Sequence, residues 1–248
     1  MYFRFKILFL IALASSVVMA LIFRTAPLEN CNSLPRHGLW YWAGVNPVTG
    51  KIAASDNLYL HQGSVVRSKS NSDNLEFLKL GISPYKLPNH ESTYLVYRLD
   101  KLGLVDQVID AFSTDSYQWE LRGNHIEGVQ LDFDSPTHNL QGYIVFLKAF
   151  RNKLPQTFKL SVTGLADWPA TGDTNDIQMI VKTADEIIFQ LYSGKAPVKN
   201  LDLYMNKFSK LSIDFKLGVL ESMGTDSKEF KLIKRNQHFK GFVYFLIN

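Results

Sequence analysis

Alternation of apolar and polar side chains is sharpest over residues 126–136, where Val129, Leu131 and Phe133 share one face of a strand and Gln130, Asp132 and Asp134 the other. A half-exposed surface strand alternates in the same way, so the pattern has to be read with its ending. Two carboxylates at i and i+2 stand about 6–7 Å apart along one face. Ser135-Pro136 then opens an amphipathic helix with Leu140, Tyr143, Ile144, Leu147, Phe150 and Leu154 on one side. Ser135 suits the N-cap and Pro136 the first helical position, and Pro155 stops the helix. Asp134 is thereby placed at a strand-to-helix turn, where α/β folds put their chemistry.

The same reading predicts strands at 38–42, 57–67 (interrupted by Gly63), 93–99, 158–165, 186–192, 213–220 and 239–247. Helical spacing joins Val105, Val108, Ile109 and Phe112, and again Leu201, Tyr204, Phe208 and Leu211; shorter helices are predicted at 176–181 and 226–235. The polar, proline-containing stretch 71–90 reads as loop with one helical turn. Eight strands with interleaved helices predict an α/β fold, a single small (β/α)8 barrel over residues 36–248. An open doubly wound sheet is the alternative, but no G-x-G-x-x-G or G-x-x-x-x-G-K loop favours it.

Composition and charge narrow the class. With 46% apolar and 13% aromatic residues, the 248-residue chain can bury a large core and is not disordered. Its net charge of +4 falls to +1 once the three cations of residues 1–24 (Arg4, Lys6, Arg24, with no acid) are set aside. Lys207, Lys210, Lys228, Lys231, Lys234 and Arg235 read as solvated helix faces, so no nucleic-acid partner is expected. Arg4 and Lys6 precede an uncharged apolar run, 7–23, laid out like an export signal, with Val18-Met19-Ala20 as a cleavage site. The run is also at the lower limit for a membrane span. The expected organisation is a signal peptide or membrane anchor over 1–24, a tether over 25–35 and the barrel domain over 36–248. The domain is expected to work outside the cytoplasm, periplasmic or secreted, meeting a membrane through the N-terminal segment only. Cys31 is the only cysteine, which excludes an internal disulfide, and Glu29 and Asn30 before it do not fit a lipoprotein box.

In a barrel the informative residues stand where strands end. Those positions hold Trp40, Trp42, Gln62, Arg98, Asp132, Asp134, Thr163, Gln190, Tyr192 and Glu221, with Trp168 in the loop after the fifth strand. Aromatic rings pack on the C–H faces of sugars, and amides and carboxylates bind their hydroxyls, so the set fits a carbohydrate cleft. Asp134 and Asp132 are the candidate catalytic pair; Tyr192, Gln190, Trp42, Trp168, Arg98 and Glu221 are candidate substrate-binding residues. Each has a structural alternative: the tryptophans as ends of the core, Arg98 as counter-ion to a carboxylate, Asp134 as a helix cap. Six histidines without H-E-x-x-H spacing and the absence of G-x-S-x-G lead to no expected metal site, cofactor or serine nucleophile.

Glu127-Gly128-Val129-Gln130-Leu131-Asp132-Phe133-Asp134 resembles the fourth-strand D-G-x-D-x-D-x-E signature of chitinases and endo-N-acetylglucosaminidases, which are (β/α)8 barrels. The glycine and the second-to-last acid match; Glu127 replaces the first Asp, Gln130 the second, and Asp134 the terminal catalytic Glu. Tyr192 matches the Met-x-Tyr-Asp end of that superfamily's sixth strand, with Ser193 in place of its Asp. Val129-Gln-Leu-Asp-Phe-Asp-Ser-Pro-Thr137 resembles more closely the fourth strand of an uncharacterised family of exported, glycosidase-like bacterial barrels. The resemblance implies glycoside hydrolysis of an extracytoplasmic glycan with Asp134 as acid and Asp132 keeping one proton on the pair. For an N-acetylated sugar the acetamido group itself would attack, positioned by Tyr192 and Gln190; alternatively Glu221 would pair with Asp134 as a second carboxylate. An Asp carboxyl stops on the order of 1 Å short of a Glu carboxyl, and misplacement of that size costs about a hundredfold in rate. A non-catalytic carbohydrate-binding barrel of the cell envelope is therefore the alternative function, and a purely structural envelope protein a third.

Overall fold

A computed structural model describes residues 37–42, 56–71 and 73–246. The expected leader (1–24) and tether (25–35) lie outside them. Eight parallel strands close on themselves: β1 (Gly38–Tyr41), β2 (Asn57–Arg67), β4 (Thr93–Leu99), β5 (Ile126–Asp132), β6 (Lys159–Leu165), β7 (Glu186–Gln190), β10 (Phe215–Leu220) and β11 (Phe239–Phe245). Closure comes from β1, which pairs with β11 on one side and β2 on the other. The expected barrel is the observed fold.

The period of two sorts each strand into an outer and an inner face. Val129 and Leu131 face outwards into the core beneath the helices, together with Leu95, Tyr97, Leu160 and Val162. Against them pack Phe112 of α1 (Val105–Glu120), Tyr143 and Phe150 of α2 (Leu140–Lys153), Ile180 of α4 (Thr174–Thr183), Phe208 of α5 (Leu201–Phe208) and Phe230 of α6 (Lys228–Ile233). Each fully buried side chain of this kind contributes about 1.5–3 kcal/mol. The outer layer thus supplies the stability and leaves the inner face free for polar side chains.

The inside is aromatic and polar. Trp40, Tyr59, Tyr94, Val96, Ile188 and Val243 form a separate inner cluster. From it a hydrogen-bonded chain runs down the axis. Trp40 Nε1 donates to Gln130 Oε1 (2.5 Å), Gln130 Nε2 to Ser161 Oγ (2.9 Å), and Ser161 Oγ to Glu186 Oε1 (2.8 Å). Glu186 ends the chain in an ion pair with Lys216 (2.5 Å).

Three local expectations are corrected. The stretch 71–90 holds its helical turn (Pro84–Lys86) but also a strand, β3 (Leu75–Lys79), which pairs antiparallel with the distal half of β2. Asp134-Ser135-Pro136 does not start the helix: Pro136 is extended, a 3-10 turn follows at Thr137–Asn139, and α2 starts at Leu140, so Ser135 is not its N-cap. The sixth strand stops at Gln190, and Tyr192–Ser193 turns out as β8 into a small hairpin with β9 (Ala196–Pro197), tipped by Gly194 at φ +59°. That positive φ is a conformation glycine adopts without strain.

Candidate functional site

Register brings the polar residues together at the C-terminal end of the barrel. Arg98 lies opposite Asp132 across β4 and β5, and Thr163 and Gln190 follow on the inner faces of β6 and β7. Arg98 donates through Nη1 to Asp132 Oδ2 (2.9 Å) and through Nη2 to Asp134 Oδ2 (2.7 Å), so one guanidinium bridges both carboxylates. The other oxygen of Asp132, Oδ1, accepts from Thr163 Oγ1 (3.0 Å) and Gln190 Nε2 (3.1 Å). Thr163 Oγ1 in turn accepts from the backbone N–H of Phe133 (3.1 Å), which fixes the start of the loop that carries Asp134. Asp132 is 3% exposed, whereas the side chain of Asp134 is 44% exposed. The two acids are therefore not equivalent: one is a buried anchor, the other stands at the mouth.

Burial pushes the Asp132 carboxyl above the ordinary carboxylate range, and the charge of Asp134 adds to it, against the lowering effect of Arg98. For Arg98, burial disfavours the charge, but Asp132 and Asp134 outweigh it and hold the guanidinium cationic. The shift on Asp132 has a stability consequence. A carboxyl whose folded pKa is raised binds more protons folded than unfolded between the two values, so its contribution is full at low pH and lost as pH rises from about 4 upwards. His61, buried and pushed down to about 4, contributes in the opposite sense, losing stability as pH falls below its unfolded value. The difference between wild type and Asp132→Asn isolates the first effect: melting temperatures from pH 4 to 8 should fall less with rising pH in the variant. Parallel profiles would show that Asp132 titrates alike in both states.

Above the acids opens a cleft of about 740 Å3, lined by Trp42, Arg98, Asp132, Asp134, Gln190, Tyr192, Phe245 and, on the far wall, Leu165, Ala166 and Asp167. Its aromatic wall is built by stacking. Trp42 lies flat on His61 (4.2 Å between centroids, 6° between planes), and Tyr192 stacks on Phe245 at 5.3 Å. Burial, then Asp132 and Asp134, push the Tyr192 phenol well up, so the hydroxyl stays protonated and able to donate. The β8–β9 hairpin forms the rim through Ser193, Gly194 and Lys195.

The structure gathers Asp132, Asp134, Arg98, Gln190, Tyr192 and Trp42 in this one cleft. Two expected sugar contacts are elsewhere. Trp168 is 0% exposed; its Nε1 donates to the Ser135 carbonyl (2.8 Å) and its ring packs between Tyr143 and Phe189, so it is core and not a platform. Glu221 is exposed and does not line the cleft. Glu221 lies one residue past the end of β10, in a turn. Sequence reasoning missed Asp167 and Phe245. Asp167 stands two residues past the end of β6, as Asp134 stands two past the end of β5, and that parallel was the available signal.

Residues 95–209 match a family model described as Domain of unknown function (DUF3142). The match runs from within β4 to just past α5 and takes in Arg98, Asp132, Asp134, Asp167, Gln190 and Tyr192. No curated protein matches the chain in sequence. Among solved structures, the Bacillus cereus spore cortex-lytic enzyme SleL is similar with a TM-score of 0.43 and 13% identity, over 75% of this chain and 50% of that one. The chitinase domain of the spore coat protein CotE from Clostridium difficile is similar with a TM-score of 0.38 and 13% identity, over 73% and 63%. This chain thus spans less than two thirds of the length of either.

Proposed function

We propose that the cleft binds a glycan and that the protein hydrolyses a glycosidic bond there, with Asp134 as the group that hands a proton to the leaving oxygen. The observation that carries this reading is the placement of an aromatic wall (Trp42, Tyr192, Phe245) against a bridged carboxylate pair at the C-terminal mouth of the barrel. The half-exposed Asp134 is the acid within reach of a substrate; Asp132, buried and held by Thr163, Gln190 and Arg98, fixes its surroundings and stores a proton more readily than an ordinary carboxylate. Gln190 gives one amide N–H to Asp132 and, lining the cleft, offers the rest of its amide to the sugar. Tyr192 offers its hydroxyl to the sugar bound at the acid pair. The apolar run 7–23 supports export, and the substrate is then an extracytoplasmic polysaccharide or amino-sugar glycan.

The expected result for Asp134→Asn is loss of reducing-end release from cell-wall-type or amino-sugar oligosaccharides, with binding retained. One observation favours a second reading, a carbohydrate-binding barrel without hydrolysis: Arg98 Nη2 already donates to Asp134 Oδ2, so the mouth acid is engaged by a cation before any substrate arrives. Wild-type protein that binds such oligosaccharides and releases no reducing ends decides for that reading. Protein that binds none of them sinks both.

A further inference from the structure

The barrel has a second opening where its strands begin, away from the cleft and from the short helix α3 (Trp168–Thr171) beside it. A cavity of about 250 Å3 lies there, lined by Tyr94, Glu186 and Lys216 from the starts of β4, β7 and β10, with Ile187 and Phe215 as its apolar wall. Tyr94 is 4% exposed, and its ring stacks on Tyr59 (5.0 Å between centroids, 12° between planes). Phenylalanine would stack as well, so packing does not account for the hydroxyl. That hydroxyl bonds to no protein group among the described residues, yet it is not one of the buried atoms sealed from solvent, so it opens onto the cavity. Burial, then the charge of Glu186, push the phenol up and keep it protonated, a donor. In the same cavity Lys216 gives one proton to Glu186 (2.5 Å) and one to Tyr59 Oη (3.0 Å), which leaves the third of its ammonium group unspent.

The surroundings carry a surplus of cations. Lys159 and Lys240 also line the cavity, each with an acid partner, Glu127 (2.8 Å) and Asp214 (3.2 Å). Through Lys159 and Asp185, which line both, the cavity adjoins a groove of about 440 Å3. The groove adds Arg151, paired with Asp185 (3.3 Å), and two exposed lysines, Lys148 and Lys182, with no acid partner among the described residues. A cation would find the acids taken: Glu186 by Lys216, Tyr59 and Ser161, Asp214 by Lys240, and Asp185 by Arg151 and the Leu160 N–H. An anion finds donors to spare. We propose that this opening is a second binding site, for a phosphate-type oxyanion held by Tyr94 Oη and Lys216 Nζ, with Lys148 and Lys182 supplying the charge that no acid of the protein cancels. The site is independent of the glycan reading. A lipid headgroup and a soluble phosphate present the same group; a headgroup held here would leave the cleft, at the other end of the barrel, facing away from the membrane.

The test uses the whole protein, the variant Tyr94→Phe and the double variant Lys148→Gln with Lys182→Gln. Inorganic phosphate is titrated by calorimetry, and cosedimentation is measured with vesicles of phosphatidylglycerol and of phosphatidylcholine. Wild type should bind phosphate saturably. Tyr94→Phe should weaken that binding by about ten- to a hundredfold, the range for a hydrogen bond to a charged group. Its melting temperature should hold, because the hydroxyl has no protein partner to lose. The double variant should bind phosphate more weakly and with less dependence on salt. A preference for phosphatidylglycerol vesicles that Tyr94→Phe abolishes identifies the phosphate as a headgroup's, whereas phosphate binding without that preference identifies a soluble ligand. No phosphate binding by wild type overturns the site, and Tyr94 then meets only water. Equal binding by wild type and Tyr94→Phe overturns it too, because surface lysines alone would then be holding the anion.

Discussion

Lys216→Met is expected to destabilise the fold by about 3–5 kcal/mol, the cost of leaving a buried charge without its partner. The side chains of Lys216 and Glu186 are 11% and 14% exposed and form an ion pair at 2.5 Å inside the barrel. Lys216 also donates to Tyr59 Oη (3.0 Å), and Tyr59 and Ser161 both donate to Glu186 Oε1 (2.8 Å each). Burial and the charge of Glu186 push the Tyr59 phenol well up, so Tyr59 stays a neutral donor and brings no positive charge in place of the lysine. Methionine matches the lysine stem in shape and leaves the carboxylate alone in a low-dielectric interior. The double variant Lys216→Met with Glu186→Gln should recover most of the loss, because glutamine keeps an acceptor for Tyr59 and Ser161 and carries no charge. Urea unfolding of the single and double variants checks both statements. A single variant within about 1 kcal/mol of wild type would place the pair among well-solvated ion pairs. Lys216 lies at the start of β10, at the end of the barrel away from the cleft, so glycan affinity should not follow stability in this series.

Much of this architecture was legible in the sequence because a closed parallel barrel imposes one rule on every strand. The alternation at 126–136 sends Val129 and Leu131 to the helices and Gln130 and Asp132 to the interior, as the period of two requires. Where the reading failed, the deciding contact was remote in sequence. β3 is held by the distal half of β2, and its own residues, Leu-Glu-Phe-Leu-Lys, carry no clean alternation. Trp168 sits in a strand-end loop like a sugar platform, but the Ser135 carbonyl from the neighbouring loop draws its indole inwards. Glu221 was placed by counting strand ends, but β10 stops at Leu220 and Glu221 stands exposed in the turn that follows. Asp167 escaped notice beside that same tryptophan, although its spacing from β6 repeats that of Asp134 from β5.

Arg98 is where the two functional readings meet. It ties the mouth acid to the buried acid, and a proton donor held by a guanidinium works only if substrate loosens that bond. In a hydrolase the protonated Asp134 would donate to the sugar's leaving oxygen and release Arg98, leaving the arginine on Asp132. In a binding barrel the bridge would persist with ligand present. The distinction lies in one hydrogen bond, Arg98 Nη2 to Asp134 Oδ2, and not in the list of residues lining the cleft.

The second large effect is expected at Gly128, the glycine that aligns with the chitinase-type signature. Pairing of β4 with β5 slips between Thr93/Ile126 and Tyr94/Gly128, leaving Glu127 as the extra residue of a bulge. The bulge turns the Cα of Gly128 towards β6, so closely that a methyl there would lie 2.0 Å from the Lys159 carbonyl oxygen and 2.8 Å from its nitrogen. The obstruction is backbone on a neighbouring central strand and cannot swing aside like a side chain. Gly128→Ala therefore has to push β5 and β6 apart within a closed barrel. It is expected to cost about 3 kcal/mol, the upper end of the range for overpacking, or a fall of roughly 6–12 °C in melting temperature for a domain of this size. The effect should reach the site, because Gln130 and Asp132 continue the same strand and Asp132 must meet Arg98, Thr163 and Gln190 at once. Glycan affinity should thus fall in Gly128→Ala even under conditions where the variant is fully folded, unlike in the Lys216 series. A melting temperature within about 2 °C of wild type would mean that the strands separate without cost, and the glycine would then owe its place to something other than the approach of Lys159.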